Sequence, residues 1–384
     1  MNYRILGKTG LQVSEVGFGG EWLERHDEKH SIELMRYAHE KGINIIDCWM
    51  PDPKSRDIIG KAIKDCRSEW FVQGHFGSTY QNGQYVRSRQ IDEVKTAFED
   101  LLERIGGGYI DLGMIHYVDR MEDWTENIAN PDSPFMKYVH EMHEKGIIRH
   151  IGMSTHNPRI GKLAAESGLV EMILFSVNPA FDMHPAAEEL DDLLFGEYEE
   201  GLSGIDPERA AFYQACEENN VGITVMKGFF GGRLLDPARS PFGVAFTPDQ
   251  LIHYALTRPA VCSILCGYDT KEQVDAAVHY EVATSDEKDY ASIIASAPLH
   301  SYMGQCTYCG HCKPCPMDID IAMVNKFYDL AIQQDKVPES VQAHYEALGV
   351  TASNCIGCQS CETRCPFEVK IAERMRKTAE LFGV

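Results

Sequence analysis

Eight short apolar runs divide the first 267 residues: SEVGFG (14–19), INIID (43–47), WFVQGH (70–75), YIDLGMIH (109–116), IIRHIGMS (147–154), EMILFSVN (171–178), VGITVM (221–226) and VCSILCG (261–267). Each has the length of a strand. Longer amphipathic stretches lie between them, such as SIELMRYAHEKG (31–42) and QIDEVKTAFEDLLERIG (90–106). The second places Val94, Phe98, Leu101, Leu102 and Ile105 at helical spacing. Strand followed by helix, eight times over, predicts an α/β fold of the (β/α)₈ TIM-barrel type. A further strand pair around the GKTG turn (7–10) precedes the first run and is expected to cap the barrel floor. After the sixth run, the acidic stretch EELDDLLFGEYEEGLSG (188–204) reads as a loop insertion near the barrel mouth. A last helix over Glu287–Ala297 sets the expected boundary: residues 1–297 form the barrel and 298–384 a second, small domain.

Charge narrows the partners. Lys and Arg number 36 against 58 Asp and Glu, a formal net charge of −22. Such a surface argues against nucleic acid or an anionic membrane as partner, and suits solubility or a basic patch on an electron-transfer protein. No apolar run approaches the roughly 18–20 residues of a membrane span, and the first residues lack the pattern of a secretory signal. A cytoplasmic location is expected.

The cysteines change the picture most. Of 13, Cys48, Cys66, Cys216, Cys262 and Cys266 are scattered, while eight crowd into CTYCGHCKPCP (306–316) and CIGCQSCETRCP (355–366). The second run matches C-x₂-C-x₂-C-x₃-C-P in full. In that pattern three thiolates hold one cubane cluster and the fourth, beside proline, ligates the other. The spacing therefore predicts two [4Fe–4S] clusters: one on Cys306, Cys309, Cys312 and Cys365, the other on Cys355, Cys358, Cys361 and Cys315. Paired C-x₂-C units can also bind zinc, but two x₂ steps in succession with a closing Cys-Pro in both runs favour iron–sulfur. The spacer between the runs contains two helix-like segments, 321–334 and 340–349, and resembles the α-helical ferredoxin domains built into larger oxidoreductases. Clusters of this kind pass single electrons; acting as structural staples of a small domain is the other reading.

The segments MNYRILGKTGLQVSEVGFGG, INIID, IDLGMIH and GIIRHIGMS look like those of the aldo-keto reductases, NAD(P)H-dependent (β/α)₈ enzymes. With the tail included, the chain resembles the bacterial iron–sulfur branch of that family. The resemblance implies a catalytic tetrad of Asp, Tyr, Lys and His at the barrel mouth, in which Tyr protonates the substrate carbonyl. Asp47 matches the family Asp and His116 the family His. The other two positions depart: Asp52 stands where Tyr is expected and His75 where Lys ends the third strand. Asp47, Asp52, His75 and His116 are thus the candidate acid–base residues, with Tyr117 and Tyr80 as substitute phenols and Trp49 as a pocket wall.

The resemblance also places candidate cofactor residues. Ser154 matches the serine that holds the nicotinamide carboxamide, with Thr155 in place of the usual Asn, and Asn178 lies near the sixth-strand amide. Lys227 and Arg233 flank the glycines of MKGFFGGRLL, and Gly267 and Lys271 occupy the adenosine-phosphate loop. NAD(P)H is implied; a flavin stays open as the group that joins two-electron to one-electron chemistry. Three readings follow. One is an oxidoreductase whose clusters relay electrons between a ferredoxin-like partner and a small-molecule substrate in the barrel. The second is an NAD(P)H-dependent reductase with structural clusters. The third is a non-enzymatic electron carrier that uses the barrel as scaffold.

Overall fold

The computed structural model describes residues 1–383 apart from positions 22, 190, 192, 194–203, 298–301 and 333–335. Twelve strands are assigned among the described residues: β1 (Tyr3–Ile5), β2 (Gln12–Ser14), β3 (Val16–Gly19), β4 (Ile45–Cys48), β5 (Phe71–Phe76), β6 (Ser78–Gln81), β7 (Gln84–Arg87), β8 (Ile110–Ile115), β9 (Ile148–Thr155), β10 (Met172–Ser176), β11 (Gly222–Met226) and β12 (Val261–Cys266). Eight of them close a barrel in the order β3, β4, β5, β8, β9, β10, β11, β12, which returns to β3. Every neighbouring pair is parallel, including the closing pair of β12 with β3. The barrel is the (β/α)₈ arrangement expected from the apolar runs.

Seven of the helices around it begin with a short polar cap, which satisfies backbone N–H groups that the first turn leaves open. Asp27, Asp52, Ser133, Asn157, Asp206, Thr247 and Thr270 each accept from a backbone N–H of the helix that follows. Proline opens five of these helices, where its missing N–H costs nothing.

Period-two alternation fills the barrel. Ile45, Leu112, Met114, Met172, Leu174, Cys262 and Leu265 form the interior cluster, joined from below by Leu6 and Val13 of the β1–β2 hairpin. That hairpin caps the floor as expected, with Lys8 N–H bonding Asn220 O at 2.8 Å. Gly7, at φ 51°, is needed there, because a Cβ would meet the Gly222 nitrogen at 2.3 Å.

One feature of the upper rim escaped the strand prediction. β6 and β7 form an antiparallel hairpin directly after β5, with Tyr80 opposite Tyr85. Its turn is Asn82–Gly83, both at positive φ, as a type I′ turn requires.

The tail is helical, with helices over Ile321–Ala331, Glu339–Glu346 and Ile371–Phe382. The boundary expected near residue 297 adjoins positions outside the described residues, as does most of the acidic stretch 188–204. The helix expected over Glu287–Ala297 is shorter, Ala291–Ser296. Thr284 bonds Glu287 and Asp289 bonds the Ser292 N–H, so side chains hold the preceding residues in turns.

Tail and barrel share one continuous buried cluster. Arg258, 1% exposed, is its polar anchor. Its Nη2 donates to Thr307 O at 2.6 Å, and its guanidinium lies over the rings of Tyr254 (4.4 Å) and Tyr308 (5.2 Å). Tyr290 OH donates to the same carbonyl, and Tyr302 OH donates to Pro179 O at 2.8 Å. Arg258→Ala removes a charged hydrogen bond and a buried stem together. It should lower the stability of the full chain by about 2–4 kcal/mol in a urea titration.

Candidate functional site

The alternation that fills the barrel also builds its mouth. Ile45 and Asp47 point inward from β4, Gln73 and His75 from β5, and Leu112, Met114 and then His116 from β8 and the residue after it. The apolar members lie deep; the polar ones stand at the C-terminal ends of the strands, the end at which barrel enzymes place their chemistry.

Asp47, His75 and His116 are brought together. Asp47 Oδ1 lies 2.8 Å from His75 Nε2, and His75 Nδ1 lies 2.8 Å from His116 Nδ1. His116 Nε2 in turn lies 2.8 Å from the hydroxyl of Tyr85. Four residues thus form one line: Asp47, His75, His116, Tyr85. A carboxylate only accepts, so His75 carries its proton on Nε2; its bare Nδ1 accepts from His116 Nδ1–H, and His116 Nε2 accepts from Tyr85 O–H. Every link is satisfied with both rings neutral. Burial, then the neighbouring His75, holds His116 well below the ordinary histidine range. Burial pushes the Tyr85 hydroxyl up to about 12.

The chain is tightly held. Trp49 lies parallel to His116 at 5.8 Å and edge-on to Tyr85 at 5.3 Å, so it walls the site as expected. Arg89 donates to His116 O at 2.7 Å and grips both oxygens of Asp123. Ser78 OH donates to Trp49 O at 2.6 Å, which ties the hairpin to the β4 loop.

Tyr85 was missed in the sequence reading, which named Tyr80 and Tyr117 instead. Tyr80 sits 42% exposed on the hairpin. Tyr117 takes a positive φ of 43°, fixed by its N–H to Ser154 Oγ and by Arg87 on its carbonyl. The signal for Tyr85 was the Asn-Gly pair three residues before it. Asp52 does not join the line. It accepts from Ser55 N–H at 3.1 Å as the cap of helix Pro53–Ile63, so the position expected to hold a phenol holds a helix start.

The expected cofactor residues divide. Ser154 Oγ accepts the Tyr117 N–H at 2.8 Å and keeps its own proton to donate. Thr155 is turned inward and donates to Asp119 at 2.9 Å. Asn178 bonds Lys227 O and accepts from the Ala180 and Phe181 N–H groups, so its amide shapes the loop rather than facing the mouth. Lys227 has a positive φ of 58° and a pKa lowered by burial, opposed by the charges of Glu21, Asp119 and Asp47. Arg233 packs its guanidinium on the Phe230 ring at 4.4 Å. Gly267 follows β12 in the open, and Lys271 starts the helix Lys271–Val278 with its ammonium 5.1 Å from the Tyr37 ring.

A second histidine pair was also missed. Asp119 accepts from His156 Nδ1 at 2.8 Å and from the His156 N–H at 2.7 Å. The other ring nitrogen, Nε2, is buried with no hydrogen-bond partner among the described residues. His116, His156 and His253 are all held below 6.5 by burial first, His253 to about 4. The unfolded chain takes up these protons as pH falls below about 6.5 and the folded chain does not, so their contribution to stability is present above that value and is lost below it. Thermal melting should therefore shift downward between about pH 6.5 and 5.

In the tail, two cavities lie among the cysteines. One, of about 310 Å³, is lined by Cys306, Cys309, Cys312 and Cys365; the other, of about 370 Å³, by Cys315, Cys355, Cys358 and Cys361. Each wall takes three cysteines from one run and one from the other, in the grouping read from the spacing. Among the described residues, no three His, Cys, Asp or Glu side chains converge as a single-ion site would need.

A parallel eight-stranded barrel with a polar mouth at its C-terminal rim is the arrangement on which barrel enzymes build their sites. Residues 15–190 match the model of the aldo/keto reductase family. An aldo-keto reductase of Bacillus subtilis, YhdN, is 29% identical over 163 residues, which are 40% of this chain and 47% of YhdN; the chain thus spans about half of that relative. An uncharacterised oxidoreductase of the same organism, YqkF, is 24% identical over 287 residues, 71% of this chain and 89% of its own. The structure of aldo-keto reductase AKR11C1 from Bacillus halodurans, in its holo form, superposes with a TM-score of 0.58 at 22% identity, covering 78% of this chain and 97% of that one. That likeness establishes the fold. Among the described residues, no helix is long and apolar enough to cross a membrane.

Proposed function

We propose that this protein is an oxidoreductase in which the barrel mouth reduces, or in reverse oxidises, a small carbonyl compound, using electrons that reach it through two [4Fe–4S] clusters held in the tail. The observation that carries the reading is the line Asp47–His75–His116–Tyr85. Two single electrons and two protons turn a carbonyl into an alcohol; the proton on carbon is drawn from water, the proton on oxygen needs a positioned donor, and the ordinary Tyr and its lysine are absent from their usual positions. In this proposal one extra proton enters the line at His75, whose Nε2 lies 2.8 Å from the Asp47 carboxylate. His75 Nδ1–H then donates to His116 Nδ1, His116 Nε2–H donates to the Tyr85 oxygen, and Tyr85 O–H points at the substrate. When the substrate oxygen takes that proton, His116 passes one to Tyr85 and His75 passes one to His116, and the line returns to the neutral arrangement described above. Tyr85 is the general acid, and its high pKa keeps it protonated at neutral pH. Trp49 excludes water from His116, and His156 Nε2 offers an acceptor for a second polar group in the mouth.

The two cysteine-walled cavities support the cluster part. Cys306, Cys309, Cys312 and Cys365 would hold one group and Cys315, Cys355, Cys358 and Cys361 the other; such clusters, when bound, supply single electrons. A ferredoxin-like protein is the proposed electron partner. A division into a barrel of residues 1–297 and a cluster domain of 298–384 accords with it. A second reading has support of its own: the free hydroxyl proton of Ser154 and the ammonium of Lys227 fit a nicotinamide nucleotide in the mouth.

One assay separates them. Full-length protein purified without oxygen is offered a panel of small aldehydes and ketones, with either reduced viologen or NAD(P)H as donor. Turnover with viologen that is lost when the eight cysteines are changed to serine is the expected result. Turnover with NAD(P)H that survives the loss of all eight would overturn the relay and leave a conventional reductase.

A further inference from the structure

The two cysteine cavities differ in what else lines them. The cavity of Cys315, Cys355, Cys358 and Cys361 opens at the surface, where Cys358 is exposed and Ile356 is 63% exposed. The cavity of Cys306, Cys309, Cys312 and Cys365 lies toward the barrel and is lined also by Thr307 and Asn325, both fully buried. Asn325 stands on the helix Ile321–Ala331, between the core residues Val324 and Phe327. Its Oδ1 accepts from Arg374 Nε at 2.7 Å, while its Nδ2 has no acceptor among the described residues. Thr307 is in the same position: its carbonyl takes the Arg258 and Tyr290 bonds, and its Oγ1 has no partner among the described residues.

A buried amide group with open donors is costly unless something in the cavity accepts from it. Cysteine thiolates and inorganic sulfides are acceptors, and hydrogen bonds to them set the potential of a cluster. We infer that Asn325, with Thr307 beside it, donates hydrogen bonds to sulfur in the inner cavity and raises the reduction potential of the cluster there relative to the same cluster without them. The inference rests on the proposed cluster reading. A donor stabilises the extra negative charge of the reduced state, so its removal lowers the potential. Asn325 is a tuning residue, since it acts on the potential of the group and not on the substrate.

The test is a redox titration of the anaerobically purified full chain, followed by electron paramagnetic resonance, alongside iron and acid-labile sulfide analysis. Asn325→Leu, close in size, removes the donor and leaves Arg374 its bond to Asp329. One of the two midpoint potentials is expected to move to a more negative value while the other stays and the iron content is unchanged. Thr307→Val, which removes a hydroxyl without changing shape, should move the same midpoint in the same direction and keeps the inference testable where the leucine variant loses iron. Two unmoved midpoints, or an equal shift of both, would overturn the assignment. A wild-type chain free of iron and sulfide overturns the cluster reading itself, and that result is visible before any variant is measured.

Discussion

Tyr85→Phe should cut turnover of the preferred carbonyl by about 10²- to 10⁴-fold, the range a positioned general acid contributes, with little change in KM. The substitution removes one oxygen and keeps the ring against Trp49, so the pocket wall survives. Tyr80→Phe, on the opposite strand of the same hairpin, is the control and should stay within a few-fold of wild type. Asp47→Asn probes the other end of the line. The amide can still meet His75 but no longer balances its charge, so the extra proton is disfavoured and the rate should fall by a comparable factor. Equal rates for wild type and Tyr85→Phe, measured with the same donor and carbonyl, would place the proton donor elsewhere.

Loss of a cavity wall should be as severe. Cys309→Ala opens the quartet of Cys306, Cys309, Cys312 and Cys365 and should remove about half of the roughly eight iron atoms that two cubanes contain. Cys358→Ala should do the same for the other quartet. Changing Cys216, which is buried on the barrel helix Pro207–Glu218, should leave iron and sulfide unchanged. Because one cysteine of each quartet comes from the opposite run, Cys365→Ala and Cys315→Ala distinguish crossed from uncrossed ligation. In the crossed arrangement Cys365→Ala spares the signal of the cluster held by Cys355, Cys358 and Cys361. An iron content unaffected by Cys309→Ala and Cys358→Ala alike would remove the electron relay from the account.

The barrel was legible in the chain because each of its strands is a buried apolar run, and parallel strands buried on both faces read that way. Asp47, His75 and His116 were legible for a related reason: each is the polar residue at the end of such a run. The cysteine grouping followed from spacing alone. What stayed hidden depended on neighbours distant in sequence. Tyr85 reaches His116 through a hairpin whose Asn82–Gly83 turn was overlooked. Asp52, read as acid–base equipment, is used by its own helix as a cap, and Thr155 and Asn178 satisfy Asp119 and a loop backbone. A polar residue at a suggestive position can meet a local backbone need as readily as a ligand, and only the hydrogen-bond partners tell the two apart. The open donors of Asn325 and Thr307 are of this kind too, visible only once burial and partners are known.

The central claim is that a continuous line of hydrogen bonds joins Asp47 to Tyr85, and nitrogen-resolved NMR of the histidine rings in the full chain tests it most directly. At neutral pH the account predicts a proton on His75 Nε2, donated to Asp47, and a single proton on His116. A bare His75 Nε2, or a His116 carrying protons on both nitrogens, would contradict it.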